Sequence, residues 1–235
     1  MENTNINTNN TNTIENGYNV PISSHKADIT NKNNDYRLVG LMTIDSKFNE
    51  NETDRYIYEN NIDYEAIADA IKTKSANKTK AVKTKIGAMA KAADSLIEKV
   101  STDNGIAYKI RYSTDNKYYV SINSQMIKRL STSTNDNMIR LYIIMCVQLQ
   151  NGRKQLTYEW LAEQMGLSTN GGRYRTTLAT LTEDLALLGF IRKYEVSRTV
   201  LDKNTNSKYV NKTYDYELAT YEEWKQHTKS AIIRQ

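Results

Sequence analysis

The sequence predicts an α+β fold that is mainly helical with small β-hairpins, arranged as two successive units. Two observations predict it. In each half of the chain, a pair of stretches with the apolar period of a helix precedes two runs of alternating apolar and polar residues around a polar tip. The 235 residues are also enough for one to two domains, since a domain commonly needs about 100–200 residues. We therefore expect a first unit over residues 36–122 and a second over residues 123–235.

The first 35 residues are dominated by Asn and Thr and offer little apolar surface. Such a segment cannot offset the entropy of ordering. We therefore expect residues 1–35 to be a disordered tail that is dispensable for the fold. The apolar stretch over residues 36–42 that follows fits either a strand or an arm docked on the body, and its pattern does not decide between the two.

The elements of the first unit begin with a helical pattern from Asp54, and Asp63 is placed to cap a helix there. A longer helix follows, predicted by four apolar residues at spacings of 4, 3 and 4: Val82, Ile86, Met89 and Ala93. The period then changes to two, and the Asn-Gly pair at residues 104–105 between alternating runs predicts a hairpin. A further strand is expected over residues 118–122.

The second unit opens with a short helix capped by Asn123 or Ser124. The most apolar helix of the chain follows over residues 138–149, and we expect it to be buried. Thr157 is then placed to cap another helix, which Gly166 should end.

The next helix is expected to begin at Ser168 or Thr169 and to end at Gly189. Its leucines recur at helical spacing and should face the core: Leu178, Leu181, Leu185 and Leu188. On the same stripe, Tyr174 is expected to be a core residue as well.

Two alternating strands are predicted over residues 190–201 and 209–218, around a polar tip at residues 202–208. A closing helix begins at Thr220, with Glu223 three residues later completing a capping box. The second unit therefore has the same order as the first, namely helix, turn, helix and hairpin.

Positive charge is concentrated in one part of the first unit. The chain has a formal net charge of +5, and residues 72–91 contain seven Lys and no acid. On the predicted helix, Asn77, Lys80 and Thr84 fall opposite the apolar stripe. Lys83 lies beside them. A localised basic face indicates a polyanionic partner such as nucleic acid; a solvated helix face in a Lys-rich chain is the open alternative.

Sequence motifs for catalysis and for cofactor binding are missing. None of the nine Gly begins a G-x-x-x-x-G-K-[ST] loop, and no G-x-G-x-x-G occurs. The two His residues, His25 and His227, are isolated, and the single Cys146 lies in the most apolar helix, where a core role is expected. One Cys also excludes an internal disulfide. We therefore expect no enzyme activity, no cofactor and no metal.

A membrane location is not indicated by the sequence either. No apolar run reaches the about 18 residues that a bilayer-spanning helix needs. The N-terminus is polar and lacks the pattern of a secretory signal. We therefore expect a cytoplasmic protein with no membrane contact.

Residues 156–168, LTYEWLAEQMGLS, followed by a helix ending LALLGFIRKY, resemble the helix-turn-helix and the start of the wing of bacterial winged-helix proteins. Two such units in a basic chain are similar to the replication initiators of plasmids and related mobile elements of low-GC bacteria. The resemblance implies two tandem winged helices that bind repeated sites on double-stranded DNA. The first unit departs from the pattern, because residues 73–76 contain no turn glycine.

The resemblance also implies which residues contact DNA. In such proteins the helix after the turn enters the major groove. In the second unit the exposed start of that helix holds Asn170, Arg173, Arg175, Thr176 and Thr180. In the first unit the matching residues are Asn77, Lys80, Lys83 and Thr84. In the second hairpin tip, Lys203 and Lys208 are expected to contact phosphates.

Other functions remain open on the sequence alone. A transcriptional regulator or a plasmid-partition adaptor can use the same fold, and a winged helix can also serve as a protein-docking module. A homodimer and partners among replication or partition proteins are compatible with each of these functions. The DNA site itself is not encoded in any recognisable motif.

Overall fold

The computed structural model describes residues 17–48, 54–112, 118–133, 135–201 and 208–233. Over these residues it is an α+β structure with small antiparallel sheets, so the predicted class is confirmed at that level. The chain divides into two compact units. Unit 1 comprises the described residues up to Asp28 together with Lys32–Asp136, and unit 2 comprises Ile29–Asn31 with the described residues from Asn137 onward.

The helices and strands follow one another in a simple order. In unit 1 they are β1 (Asn19–Ser23), α1 (Lys26–Thr30, whose last two residues count with unit 2), α2 (Tyr36–Asp45), β2 (Lys47–Phe48), β3 (Arg55–Tyr58), α3 (Tyr64–Ala70), α4 (Lys78–Lys91), β4 (Ile97–Thr102), β5 (Gly105–Ile110), β6 (Tyr119–Asn123) and α5 (Ser124–Ser131). In unit 2 they are α6 (Asn137–Leu149), β7 (Lys154–Gln155), α7 (Tyr158–Met165), α8 (Arg173–Leu187), β8 (Ile191–Leu201), β9 (Lys208–Leu218) and α9 (Tyr221–Ile233).

A four-stranded antiparallel sheet in the order β2-β3-β5-β4 lies in unit 1. β4 and β5 form the hairpin predicted from the Asn-Gly pair, and Gly105 adopts the φ of +110° that such a tip favours. The helical pattern predicted from Asp54 is wrong for its first residues. They form β3, which pairs with β5 and places Ile57 opposite Tyr108 on the buried face.

The N-terminal segment corrects the prediction of a disordered tail over residues 1–35. From residue 17 the chain is structured, and β1 pairs with β6 along its whole length. Val20 and Ile22 are 0% and 1% exposed. Two apolar residues two positions apart are therefore enough to fix a strand when a partner strand is present. Residues 1–16 lie outside the described part of the chain.

α2 corrects the prediction of a strand or an arm over residues 36–42. Asp35 caps this helix by accepting a hydrogen bond from the Arg37 backbone N–H at 3.0 Å. Its residues Tyr36 to Ile44 are all buried. A helix buried on all sides has no polar face, so its sequence lacks the amphipathic period that identifies a helix.

The boundary between the units also differs from the prediction. Unit 1 extends to Asp136 and not only to residue 122. β6 and α5 belong to it because β6 pairs with β1 and α5 packs on α2. The predicted helix cap is correct: Asn123 Oδ1 accepts a hydrogen bond from the Gln125 N–H at 2.9 Å.

Unit 2 repeats the order of elements found in unit 1. α6, β7, α7, α8, β8 and β9 correspond to α2, β3, α3, α4, β4 and β5. In each unit the strand before the helix pair lies antiparallel to the last strand of the hairpin, which gives the orders β7-β9-β8 and β3-β5-β4. β7 is not predicted from sequence because two residues have no period.

α7 begins and ends as predicted. Thr157 Oγ1 accepts a hydrogen bond from the Trp160 backbone N–H at 3.2 Å. Gly166 ends the helix with a φ of +67°, and a Cβ there would lie 3.0 Å from Thr30 Cγ2. Only glycine therefore fits this turn without strain.

α8 begins later than predicted. Its first residue is Arg173, not a residue next to Ser168 or Thr169, because Gly171 and Gly172 both have positive φ values. The leucine stripe faces the core as expected, with Leu178, Leu181 and Leu185 buried, whereas Leu188 is only partly buried. Tyr174 is buried too, as predicted.

The remaining helices of unit 2 agree with the prediction. α6 is buried along residues 138–145, where Arg140 donates hydrogen bonds to the carbonyls of Ile29 and Asn31. The predicted capping box begins α9: the Thr220 N–H donates to Glu223 Oε2 at 2.8 Å, and the Glu223 N–H donates to Thr220 Oγ1 at 3.3 Å.

The cap of α2 makes unit 1 sensitive to acid. Burial raises the pKa of Asp35, but hydrogen bonds from Arg37 and Lys85 outweigh it and lower that pKa from 3.8 to about 2. A lowered pKa stabilises the fold above the unfolded-state value, and this contribution is lost as pH falls through the folded-state value. We expect Asp35→Asn to lower the free energy of unfolding by roughly 2 kcal/mol at pH 7.

Urea unfolding across a pH series measures this effect. The difference between Asp35→Asn and the unchanged protein should shrink as pH falls from about 4 towards 2. Asp69→Asn is the control, because Asp69 pairs with Lys78 at an exposed position and should contribute little. A difference that stays constant with pH would contradict the assignment to this carboxylate.

Candidate nucleic-acid interface

The outer face of α4 is basic, as predicted. The inner stripe of this helix is buried, with Val82, Ile86 and Met89 at most 4% exposed. Lys80, Lys83 and Thr84 are exposed. Asn77 is exposed as well, but it caps the helix, since its Oδ1 accepts a hydrogen bond from the Lys80 N–H at 3.0 Å.

Several lysines of this region are engaged within unit 1. Lys78 pairs with Asp69 at 2.7 Å, and Lys85 pairs with the buried Asp35. Lys83 Nζ lies 4.7 Å from the centre of the Tyr64 ring, an attraction that leaves its charge uncompensated. Lys80 forms no ion pair with any described residue.

The position of these charges on α4 is unfavourable for the helix itself. Its first turn contains basic residues and no acid, although a helix N-terminus carries partial positive charge and favours acids. Helix stability therefore does not explain the basic start of α4.

Gly87 is a feature of this face that the sequence pattern did not reveal. It follows Lys80 and Thr84 at helical spacing and precedes Lys91, so the four share one face. A Cβ at Gly87 would meet no atom within 4 Å. The packing around α4 therefore does not require glycine at position 87. Glycine in the interior of a helix is less stable than Ala by about 1 kcal/mol. A lone glycine in a basic helix is the signal that could have identified it.

We expect Gly87→Ala to raise the free energy of unfolding by about 1 kcal/mol, because Ala restricts the unfolded chain and fits the space. Urea unfolding measures this gain. Gly166→Ala is the opposite control, since its positive φ and the nearby Thr30 make any side chain there destabilising. Destabilisation by Gly87→Ala would show that the fold itself needs this glycine.

The start of α8 presents the residues predicted to read bases. Arg173, Arg175, Thr176 and Thr180 are exposed on the helix. Asn170 is exposed too, but it lies in the loop before the helix, because α8 begins only at Arg173.

This helix start is also positive and lacks a side-chain cap. Gly172 occupies the cap position without a side chain, and the first turn contains no acid. Arg175 Nε donates a hydrogen bond to Tyr174 Oη at 3.1 Å, while the Arg173 side chain forms no hydrogen bond or ion pair with any described residue. The first N–H groups of α8 therefore add their partial charge to two guanidinium groups.

The base of the second hairpin differs from α4 and α8, because its cations are paired with acids. Arg192 contacts Glu217 at 3.2 Å and Glu223 at 3.0 Å. Lys193 contacts Glu183 at 3.0 Å. Positive charge is thus compensated here, whereas Lys80 and Lys83 on α4 and Arg173 and Arg175 on α8 form no ion pair with any described residue.

The predicted wing contacts are only partly within the described residues. Lys208 is exposed at the first position of β9, opposite Leu201. Lys203 lies in the tip, which is outside the described part of the chain.

Two further observations bear on chemistry. Burial raises the pKa of the Cys146 thiol to about 12, so it is not a thiolate at neutral pH. Within the described ranges, no three His, Cys, Asp or Glu side chains cluster as a metal site requires, and no helix is long and apolar enough to cross a membrane.

The exposed cations at the starts of α4 and α8 therefore form the candidate interface in each unit. Comparison of the sequence with protein-family models and with curated proteins finds no match.

Proposed function

We propose that this protein is a non-enzymatic, sequence-specific DNA-binding protein of a plasmid or other mobile element, built from two tandem winged helices. One observation carries the proposal. Both units contain helix, strand, helix, helix and hairpin, with the same order of the three corresponding strands. In both, the first turn of the helix before the hairpin exposes a cation that forms no ion pair with a described residue, Lys80 on α4 and Arg173 on α8. That helix is the one that enters the major groove in helix-turn-helix proteins.

The two units contribute differently to binding. α8 presents arginines, which can bond bidentately to a guanine edge, so unit 2 selects the sequence. α4 presents lysines, which act as point charges and suit phosphates better than base edges. Unit 1 therefore supplies mainly salt-dependent affinity, and Lys208 adds a phosphate contact beside α8.

Initiation of replication is the role we propose for this binding. Two units with one topology suit DNA sites that occur as repeats, as at a replication origin. Direct repeats near the coding region would support an initiator, whereas an inverted repeat at the promoter would support a transcriptional regulator. A partition adaptor is the remaining role with the same DNA chemistry.

A gel-shift series in increasing salt tests the division between the units. Replacing Lys80 and Lys83 with Ala should weaken binding to every duplex and lower the salt slope by roughly 0.9 for each phosphate that is no longer neutralised. Replacing Arg173 with Ala should cost about 1–3 kcal/mol on a selected site and much less on random duplex.

Arg192→Ala is the matched control for both substitutions, because its charge is already compensated by Glu217 and Glu223. Identical behaviour of the lysine and arginine variants would refute the division between units. Absence of binding to any duplex at low salt would refute DNA binding and favour a protein-docking module instead.

A further inference from the structure

The four-stranded sheet of unit 1 has one face that the described chain leaves open. Cross-strand partners point to the same face of a sheet, and Tyr56 and Glu98 both lie opposite Lys109. Ile57 and Tyr108 lie on the other face, which is buried. Glu98 is exposed, and Tyr56 is partly exposed. A cavity of about 660 Å³, here called the sheet groove, lies on this open face, with most of its lining drawn from the four strands and the tip between β4 and β5.

The charge of the sheet groove is opposite in sign to that of the whole chain. Its lining contains five charged side chains, namely Asp45, Glu98, Asp103, Lys47 and Lys109. Lys109 is neutralised by an ion pair with the buried Asp54 at 2.7 Å. None of the three acids of the lining forms an ion pair with a described residue. The groove is therefore negative in a chain with a formal net charge of +5.

The floor of the sheet groove between these charges is aromatic and apolar. Tyr56 and Tyr58 contribute rings from β3, Val100 contributes an aliphatic side chain from β4, and all three are partly exposed. Lys109 Nζ lies 5.9 Å from the centre of the Tyr56 ring, so one ring of the floor already attracts a cation of the chain itself. Tyr58 contacts Asn104, whose Nδ2 donates to its hydroxyl at 3.5 Å. No cation of the described residues lies over the Tyr58 ring.

We propose that the sheet groove docks an extended segment of a protein partner that carries Lys or Arg. Ammonium and guanidinium groups are the groups that carboxylates and tyrosine rings both attract. Charge complementarity favours this occupant over duplex DNA, because the acids of the groove repel phosphates. The cations of α4 do not line the groove, and the proposed function assigns them and those of α8 to DNA. The occupant that we infer is therefore a different protein and not a second copy of this chain.

The dimensions of the sheet groove suit an extended peptide that crosses the strands. From Lys47 on β2 to Glu98 on β4 the groove spans three strand spacings, which is about 14 Å at about 4.8 Å each. About four residues of an extended chain cover this distance, and alternate side chains point to the same side. Two cations about 7 Å apart on such a peptide can therefore reach an acid at the β4 edge and a ring of the floor together.

Fluorescence anisotropy with labelled octapeptides that alternate Ala with Lys or with Arg tests the groove. The unchanged protein should bind these peptides, with an affinity that falls as salt is added, and should not bind an octapeptide that alternates Ala with Glu. Glu98→Gln and Asp103→Asn should each weaken binding by roughly two- to fivefold. Tyr58→Leu keeps apolar bulk but removes the ring, and it should weaken binding by a similar factor. Glu65→Gln is the matched control, because it removes an exposed acid of α3 that does not line the groove.

Duplex binding by the same variants separates this inference from the proposed function. If the groove variants lose peptide affinity and bind duplex as Glu65→Gln does, the groove is a protein-docking surface. If the unchanged protein binds no duplex but its peptide affinity depends on Glu98 and Asp103, the proposed function fails and the docking surface stands. Absence of peptide binding at low salt, or binding that the groove variants leave unchanged, would overturn the inference. Sedimentation equilibrium adds a further test: if the groove variants convert a dimer into a monomer, a second copy occupies the groove and the inference is overturned.

Discussion

Removal of residues 1–23 should unfold unit 1, whereas removal of residues 1–16 should leave its stability unchanged. The longer deletion takes away β1, in which Val20 and Ile22 are almost completely buried. Loss of a buried aliphatic side chain costs about 2–5 kcal/mol, and two such losses approach the 5–15 kcal/mol that stabilise an ordinary domain. Residues 1–16 have little apolar surface to lose.

The deletion also removes hydrogen bonds that join Tyr18, the residue before β1, to the start of α5. The Ser124 N–H donates to the Tyr18 carbonyl at 2.7 Å, and the Tyr18 N–H donates to Ser124 Oγ at 3.2 Å. Far-ultraviolet circular dichroism and urea unfolding of the two deletion variants measure the outcome. The pair Val20→Ala and Ile22→Ala gives an intermediate test without truncation. Full stability after removal of residues 1–23 would restore the interpretation of this segment as a dispensable tail.

Local signals predicted the parts of the fold that the structure confirms. The side chains of Asp63 and Thr157 cap helices because an oxygen at that position meets an unused N–H close by in sequence. The hairpin of β4 and β5 follows from an Asn-Gly tip between alternating runs. Each of these features depends on residues only a few positions apart.

The features that could not be predicted depend on distant partners. β3 and β7 have four and two residues, too few for a period, and they exist because β5 and β9 pair with them. β1 depends on β6 in the same way. α2 is buried on every side and so shows no amphipathic stripe.

The candidate site also contains some residues that local signals predict and others that only the folded chain brings together. The exposed arginines of α8 could be predicted, because a turn glycine and a leucine stripe locate that helix. The pairing of Arg192 with Glu223 could not, because the two residues are 31 positions apart in the sequence and only the folded chain brings them together. Gly171 and Gly172 also delay the start of α8, which moves Asn170 off the helix.

Trp224→Ala should lower the free energy of unfolding of unit 2 by about 3–5 kcal/mol, the usual cost of truncating a buried aromatic residue. Trp224 is 5% exposed, and its ring lies 5.7 Å from that of Phe190. The Phe190 ring in turn lies 5.2 Å from that of Tyr142 on the central helix α6. The substitution therefore opens a cavity at the point where α9 joins the aromatic core of unit 2.

Two further variants separate loss of aromatic packing from other effects, with urea unfolding as the measurement. Trp224→Phe should cost much less than Trp224→Ala, because a ring is kept and the buried indole N–H, which has no partner in the described residues, is removed. Trp160→Ala should also cost less, since Trp160 on α7 is only partly buried. If Trp224→Ala proved no more destabilising than Trp160→Ala, the packing of α9 would contribute little to the stability of unit 2. A large and specific loss would make α9 part of the support that holds α8 and its arginines in place, since Phe190 directly follows the turn that ends α8.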